Sequence, residues 1–377
     1  MKFKSTDRFW RRWHMWRSQF KGLWLFLVGI IISLTIAACS NSGNSIDPAI
    51  QSSQLGHNGT DQITLVAFAA SKSAYDEILP LFEQQWHERT GRKVIFSRSF
   101  GPSGSQARAV IDGLPADVVH LALSLDVNKI EKEQLINPGW QQELPNGSIV
   151  ANTALVLAQR NNSSSHRDRP TPSITTWLEL VEPDVEIVTA NPKTSGAARW
   201  FFLAIYGYGL AEFKQPAPAL EFVRKFYGNA IVLCRDVREA MTVFSQQGQG
   251  DVLISYENEL LLAKQKGLDN RFIVPTDINI AIDTPIAAID ANVVKHGNGE
   301  VVKAFTEFLF TPTAQRAFAK SGFRPVNQQI KAEFSDKYPV INKMLTVDDF
   351  GGWDRIQSEF FADGAEFDQI QASLGDR

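Results

Sequence analysis

Three short stretches of small residues are where this chain could do chemistry: Ala67-Phe68-Ala69-Ala70-Ser71, Ser99-Phe100-Gly101-Pro102-Ser103-Gly104-Ser105, and Asn191-Pro192-Lys193-Thr194-Ser195-Gly196-Ala197. Each follows an apolar β-rich run and precedes an amphipathic one, so each reads as a strand-to-helix turn. Gly, Ser and Ala let a ligand approach the backbone closely. The unpaired N–H groups and dipole of a helix start favour a negative group there. One such turn is also an ordinary helix cap; three together point to an anion. Neither Gly-rich turn fits GxxxxGK[ST] or GxGxxG, which argues against a nucleotide.

Other reactive residues offer less. Six histidines (His14, His57, His87, His120, His166, His296) include none in HExxH or beside a GxSxG serine. Glu257 and Glu259 could suggest acid–base work, but residues two apart on a helix point away from each other. Two cysteines, Cys39 and Cys234, exclude a disulfide framework and multi-cysteine zinc sites. Cys234, beside Val232 and Leu233, reads as a buried small hydrophobe. No catalytic residue, metal or cofactor is expected.

The elements that must position the turns alternate. Ile63–Phe68 leads to Tyr75–His87, Val94–Ser97 to Ser105–Ile111, and Asp117–Leu123 to Val127–Glu133. Further on, Val185–Thr189 leads to Ala197–Tyr208, Ala230–Leu233 to Arg238–Gln247, and Asp251–Ser255 to Asn258–Lys266. This βα alternation implies mostly parallel sheets flanked by helices. The apolar run Val150–Ala158 and the extended runs of Phe272–Ile289 separate the blocks, and Val301–Ser321 reads as one long amphipathic helix. The central block is therefore expected as an insertion, giving lobe I at 62–158 and 273–377, with the C-terminal helices, and lobe II at 159–272. Two such lobes leave a cleft for a ligand.

The first 38 residues carry Lys2, Lys4, Arg8, Arg11, Arg12, Arg17 and Lys21 against Asp7, a charge of +6 that leaves −9 on the remainder of this −3 chain. An acidic body argues against nucleic acid and requires any anion to be held by local dipoles. Gly22–Ala38 is an uncharged run of 17 residues before Cys39, and suits a secretory signal at 1–38. An uncleaved anchor and an ordinary cleaved signal are the alternatives; all export the chain. Residues 39–61, rich in Ser, Asn and Gly, read as a tether.

Ile36-Ala37-Ala38-Cys39 resembles the lipobox of bacterial lipoproteins, which implies a lipid on Cys39 and a membrane-anchored periplasmic protein. The body resembles the periplasmic sulfate-binding proteins of ABC importers. The matching stretches are GPSGSQARAVIDGLPADVVHLALSLDV (101–127), NPKTSGAARW (191–200), GDVLISYENELLLA (250–263), FTEFLFTPTAQRAFAKSGFRPVN (305–327) and FGGWDRIQSEFF (350–361). The resemblance implies the type II two-lobe α/β fold of periplasmic binding proteins. It also implies a monomer that holds sulfate between its lobes and delivers it to permease and ATPase subunits.

Carried over position by position, the resemblance implies backbone donors at Ala69, Ser103, Gly196, Ala197 and Val237, the Ser195 hydroxyl, and Tyr256 where the family has a tryptophan N–H. Gly104, Arg199 and Arg238 fall on supporting positions, the two arginines fixing donor peptides without touching the anion. Ala69 stands where the family often has Asp, and CRDVREAM around Val237 replaces a Gly- and Ala-rich stretch. Thiosulfate, molybdate or another oxyanion is the alternative ligand.

Overall fold

The computed structural model describes residues 59–160, 172–265, 267 and 271–375. The signal segment, Cys39, most of the tether and most of the loop after Arg160 lie outside the described residues. Tether residues Thr60 and Asp61 are strand: β1 (Thr60–Phe68) begins there because it pairs in parallel with β2 (Lys93–Gly101) from Thr60 onward.

Thirteen strands are described. The others are β3 (Val118–His120), β4 (Ile149–Thr153), β5 (Leu155–Gln159), β6 (Ile187–Ala190), β7 (Ala230–Cys234), β8 (Val252–Tyr256), β9 (Arg271–Ile273), β10 (Ile278–Ile280), β11 (Ile282–Ala288), β12 (Arg324–Pro325) and β13 (Lys343–Leu345). One sheet runs β12-β4-β11-β3-β1-β2 and a second β7-β6-β8-β5-β9, with β10 and β13 paired in parallel apart from both. β1, β2 and β3 are mutually parallel, as are β6, β7 and β8. Strands such as Ile63–Phe68 and Val252–Tyr256 are buried throughout, as apolar runs covered by helices on both faces must be.

The helices are α1 (Lys72–Thr90), α2 (Ser103–Ile111), α3 (Ser124–Lys132), α4 (Gly196–Phe213), α5 (Pro216–Gly228), α6 (Val237–Ser245), α7 (Glu257–Gln265), α8 (Asp290–His296), α9 (Gly299–Phe308), α10 (Pro312–Lys320), α11 (Gln328–Glu333), α12 (Trp353–Ile356) and α13 (Glu366–Gly375). The long helix expected over 301–321 is two, α9 and α10. Pro312 has no N–H with which to continue α9 and sits in the first turn of α10, where the Thr311 side chain accepts from the Ala314 amide. α5 had no counterpart in the sequence reading. Its signal is Pro216 at the start and the buried spacing Ala219, Phe222, Val223 and Phe226.

The expected lobe boundary at 158/159 lies too late. β5 pairs with β8 and β9 of the second sheet, so the chain crosses at Ala154, just after the polar pair Asn152-Thr153 that interrupts the apolar run. The return crossing is held by Asn279. Its buried amide accepts from the Leu155 N–H at 3.0 Å and donates to the Leu155 carbonyl at 3.0 Å and the Pro275 carbonyl at 3.1 Å.

α4 is apolar on almost every face because both of its sides are covered. Its outer side packs on the C-terminal segment, where Phe202 meets Phe360, Phe361 and Phe367, and Tyr206 meets Phe360. The C-terminal helices thus lie on α4 of the second lobe, although they follow the last strands of the first.

Candidate functional site

The small-residue turns all stand at the carboxyl ends of parallel strands, where helix N-termini gather in open α/β sheets. From the first lobe, β1 runs into a single tight turn at Ala69–Ser71, and β2 runs through Pro102 into α2. From the second, β6 runs through 191–195 into α4, β7 through Arg235 and Asp236 into α6, and β8 through Tyr256 into α7. Ser103 and Val237 are each the first residue of a helix, and Gly196 and Ala197 the first two. Their N–H groups have no intrahelical acceptor by geometry. Ala69 opens its turn in the same way.

Local capping leaves these donors alone. The Asp236 carboxylate accepts from Arg238 N at 3.0 Å and Glu239 N at 2.9 Å, passing over Val237. Ser195 is N-cap of α4, yet its side chain makes no cap bond among the described residues, while its own N–H is spent on Asn191 O at 2.8 Å. What Ser195 presents is its hydroxyl. Ser103 is the reverse case: its hydroxyl donates to Asp126 Oδ2 at 2.7 Å and accepts from Ala122 N at 3.1 Å, so its amide is what remains. Asp126, buried in the first turn of α3 and paired with Lys129 at 2.8 Å, was missed by sequence reasoning. A first-turn acid is so common that spacing alone gives it no signal.

The turns meet across the cleft. A methyl group on Gly196 would lie 2.3 Å from Leu123 Cδ2 and 3.3 Å from Ser103 Cβ, so the two lobes close to within glycine distance. Trp200 of α4 donates from Nε1 to Ala122 O of the first lobe at 2.8 Å. α6 of the second lobe contacts the Ala69–Ser71 turn of the first. Thr194 Oγ1 donates to Arg235 O at 2.9 Å and ties the second lobe's two donor turns together.

Tyr256, at the end of β8, lies edge-on to Phe201 of α4 at 5.5 Å. Its hydroxyl is buried and finds no hydrogen-bond partner among the described residues. Burial, reinforced by Glu259, raises its pKa well above the usual phenol, so it keeps a proton to donate. Arg199 Nε donates to Pro192 O at 3.1 Å and Nη1 to Gln357 Oε1 at 2.8 Å; burial lowers its pKa, opposed by Asp126. Arg238 pairs with Glu259 at 3.0 Å, while its buried Nε has no partner among the described residues. Gly104 lines a cavity of about 390 Å³ at the cleft mouth, together with Arg108, Lys129, Lys193, Ser195 and Arg199.

The remaining reactive groups are committed elsewhere. Glu257 is held by Arg324 at 2.6 and 3.0 Å and Glu259 by Arg238, so the two acids do diverge. His120 shares a 2.9 Å hydrogen bond with Tyr75, and burial depresses its pKa to about 3. Cys234 is buried, its thiol pushed up to about 11 by burial. Among the described residues, no group of three or more His, Cys, Asp or Glu is placed to hold a metal, and no helix is long and apolar enough to cross a membrane.

Two sheets joined by crossing strands, with helix N-termini converging on the gap between them, define a two-lobe binding protein. The chain belongs to the bacterial extracellular solute-binding proteins, whose family model matches residues 63–324. It is 43% identical over 364 residues to the sulfate-binding protein of Synechocystis sp., spanning 96% of this chain and 99% of that one. It is 46% identical over 346 residues to the sulfate-binding protein of Synechococcus elongatus, spanning 91% and 94%. The solved structure of the sulfate-binding protein SubI from Mycobacterium tuberculosis superposes with a TM-score of 0.71 at 29% identity, covering 80% of this chain and 99% of that one.

Proposed function

We propose that this chain is the extracytoplasmic receptor of an ABC importer: it captures sulfate between its lobes and hands it to permease and ATPase subunits. It acts as a monomer tethered through a lipid on Cys39, and it binds without catalysing. Support for the ligand comes from relatives named as sulfate-binding proteins at 43% and 46% identity over nearly the whole chain. The observation that carries the reading is the convergence of unspent donors. The amides of Ala69, Ser103, Gly196, Ala197 and Val237 and the hydroxyls of Ser195 and Tyr256 come from strand ends of both lobes.

Burying an unpaired dianion costs tens of kcal/mol, so its lone pairs must all be met by donors. Seven charge-assisted hydrogen bonds at about 1.5–3 kcal/mol each are of the size needed to offset that and leave micromolar binding, about −8 kcal/mol. Sulfate carries no proton at neutral pH and phosphate carries at least one. A site built almost wholly of N–H groups sets that phosphate O–H against another donor. The Asp126 carboxylate, spent on Ser103 and Lys129, does not offer itself as an acceptor. The closed form, with contacts from both lobes, is the one the permease recognises.

Titration calorimetry of the purified protein with sulfate, thiosulfate, molybdate and phosphate tests the reading. Sulfate binding in the micromolar range with no phosphate heat is expected. Strong phosphate binding without sulfate heat would overturn it, and turnover of any ligand would return the protein to the enzymes.

A further inference from the structure

We propose that the C-terminal segment is a positioning element for the donor loop 191–197, and that Lys193 is the residue through which it acts. The inference rests on reading the cleft as an oxyanion site.

Lys193 lies two residues before Ser195 in the loop that contributes more donors than any other turn. Its ammonium bonds to the C-terminal segment: Asp368 Oδ2 at 2.9 Å, Phe361 O at 3.3 Å, Ala362 O at 3.4 Å and Asp363 Oδ1 at 3.5 Å. Asp368 also accepts from Gly364 N at 2.8 Å, a bond within its own segment that does not depend on Lys193. Arg199 makes a second bridge, from Pro192 O to Gln357, with its guanidinium 5.2 Å over Phe361. The loop is thereby held on its outer side by residues some 160–175 positions later in the chain.

The same segment meets the first lobe. Trp353 packs edge-on to Trp200 at 4.8 Å, and Trp200 donates to Ala122 O across the cleft; Asp354 lies 3.6 Å from Lys132 of α3. A loop whose amides must meet a tetrahedral anion to within tenths of an ångström needs a rigid support, and its own internal bonds, from the Thr194 and Ser195 N–H groups to Asn191 O, span only five residues. Tying both cations to the C-terminal segment supplies that support.

Lys193 and Asp368 are each about a third exposed in their side chains, so truncating either leaves no buried charge behind. The test is a double-mutant cycle on sulfate affinity with the full chain: Lys193→Ala, Asp368→Ala, the pair together, and Lys193→Arg. Expected results are affinities about tenfold weaker for each single variant, a pair no weaker than Lys193→Ala alone, and Lys193→Arg close to wild type. Hydrogen exchange at the amides of 194–198 in the ligand-free protein should quicken in both single variants. Affinities within twofold of wild type, losses that multiply in the pair, or unchanged exchange would overturn the proposal, even where the melting temperature falls. A wild-type protein that takes up no sulfate would instead overturn the ligand reading, while the exchange measurement would still decide whether the bridge holds the loop.

Discussion

Two hydroxyls stand among backbone amides in the proposed contact set, and side-chain substitution reaches only those two. Ser195→Ala should weaken sulfate binding by about 1–3 kcal/mol, since a hydrogen bond to a charged ligand is lost. Tyr256→Phe, which deletes an unpartnered buried hydroxyl, should weaken it in the same direction and leave the fold intact. Calorimetry on each variant checks this, and wild-type affinity in either removes that hydroxyl from the set. A different residue should govern pH dependence. Burial raises the Asp283 carboxyl to about 6, although its hydrogen bond from Asn152 pulls the other way. A folded value above the ordinary 3.8 means that the stability this group contributes is complete below about pH 4 and is lost as pH rises through about 6. Asp283→Asn should therefore match wild type in thermal unfolding at pH 3.5 and exceed it by up to about 3 kcal/mol at pH 7.5.

At the scale of elements, capping decides which amides stay open. Asp236 satisfies the second and third amides of α6 and leaves the first, so it stabilises the helix without consuming Val237 N–H. Asp236→Ala should cost about 0.5–2 kcal/mol in denaturant unfolding. Its effect on sulfate affinity should be smaller than that of Ser195→Ala, because the Val237 amide itself survives. Much of this layer was legible beforehand. The βα alternation located most strands and helices, and each small-residue turn it singled out does stand at a strand end. It misjudged 301–321, where the apolar spacing continues through Pro312 although the backbone cannot, and it passed over α5 between two better-marked elements. The crossing at Ala154 was hidden for another reason: β4 and β5 are both largely apolar and buried, and hydrophobicity does not reveal which sheet a strand joins.

For the whole molecule, the telling contact is between lobes. Gly196 approaches Leu123 so closely that a single methyl group would overlap it at 2.3 Å. Gly196→Ala should hold the lobes apart, so that small-angle scattering in saturating sulfate shows a more extended particle than wild type and affinity falls at least tenfold. Adding Leu123→Ala, which removes the obstructing methyls, should restore much of the closure. A compact, tightly binding Gly196→Ala variant would show that closure stops short of this contact.

By itself the amino-acid sequence determined the class of fold, the exported acidic body, and which turns carry small residues at helix starts, because these depend on local spacing and on motifs contiguous in the chain. Only tertiary structure decided that Ser103 spends its hydroxyl on Asp126 while Ser195 keeps its own, that Lys193 pairs with Asp368, and that the C-terminal segment packs on the second lobe. Those outcomes depend on which partners arrive from tens to hundreds of residues away. A hydroxyl or an ammonium has no preference among acceptors until the fold brings one within 3 Å.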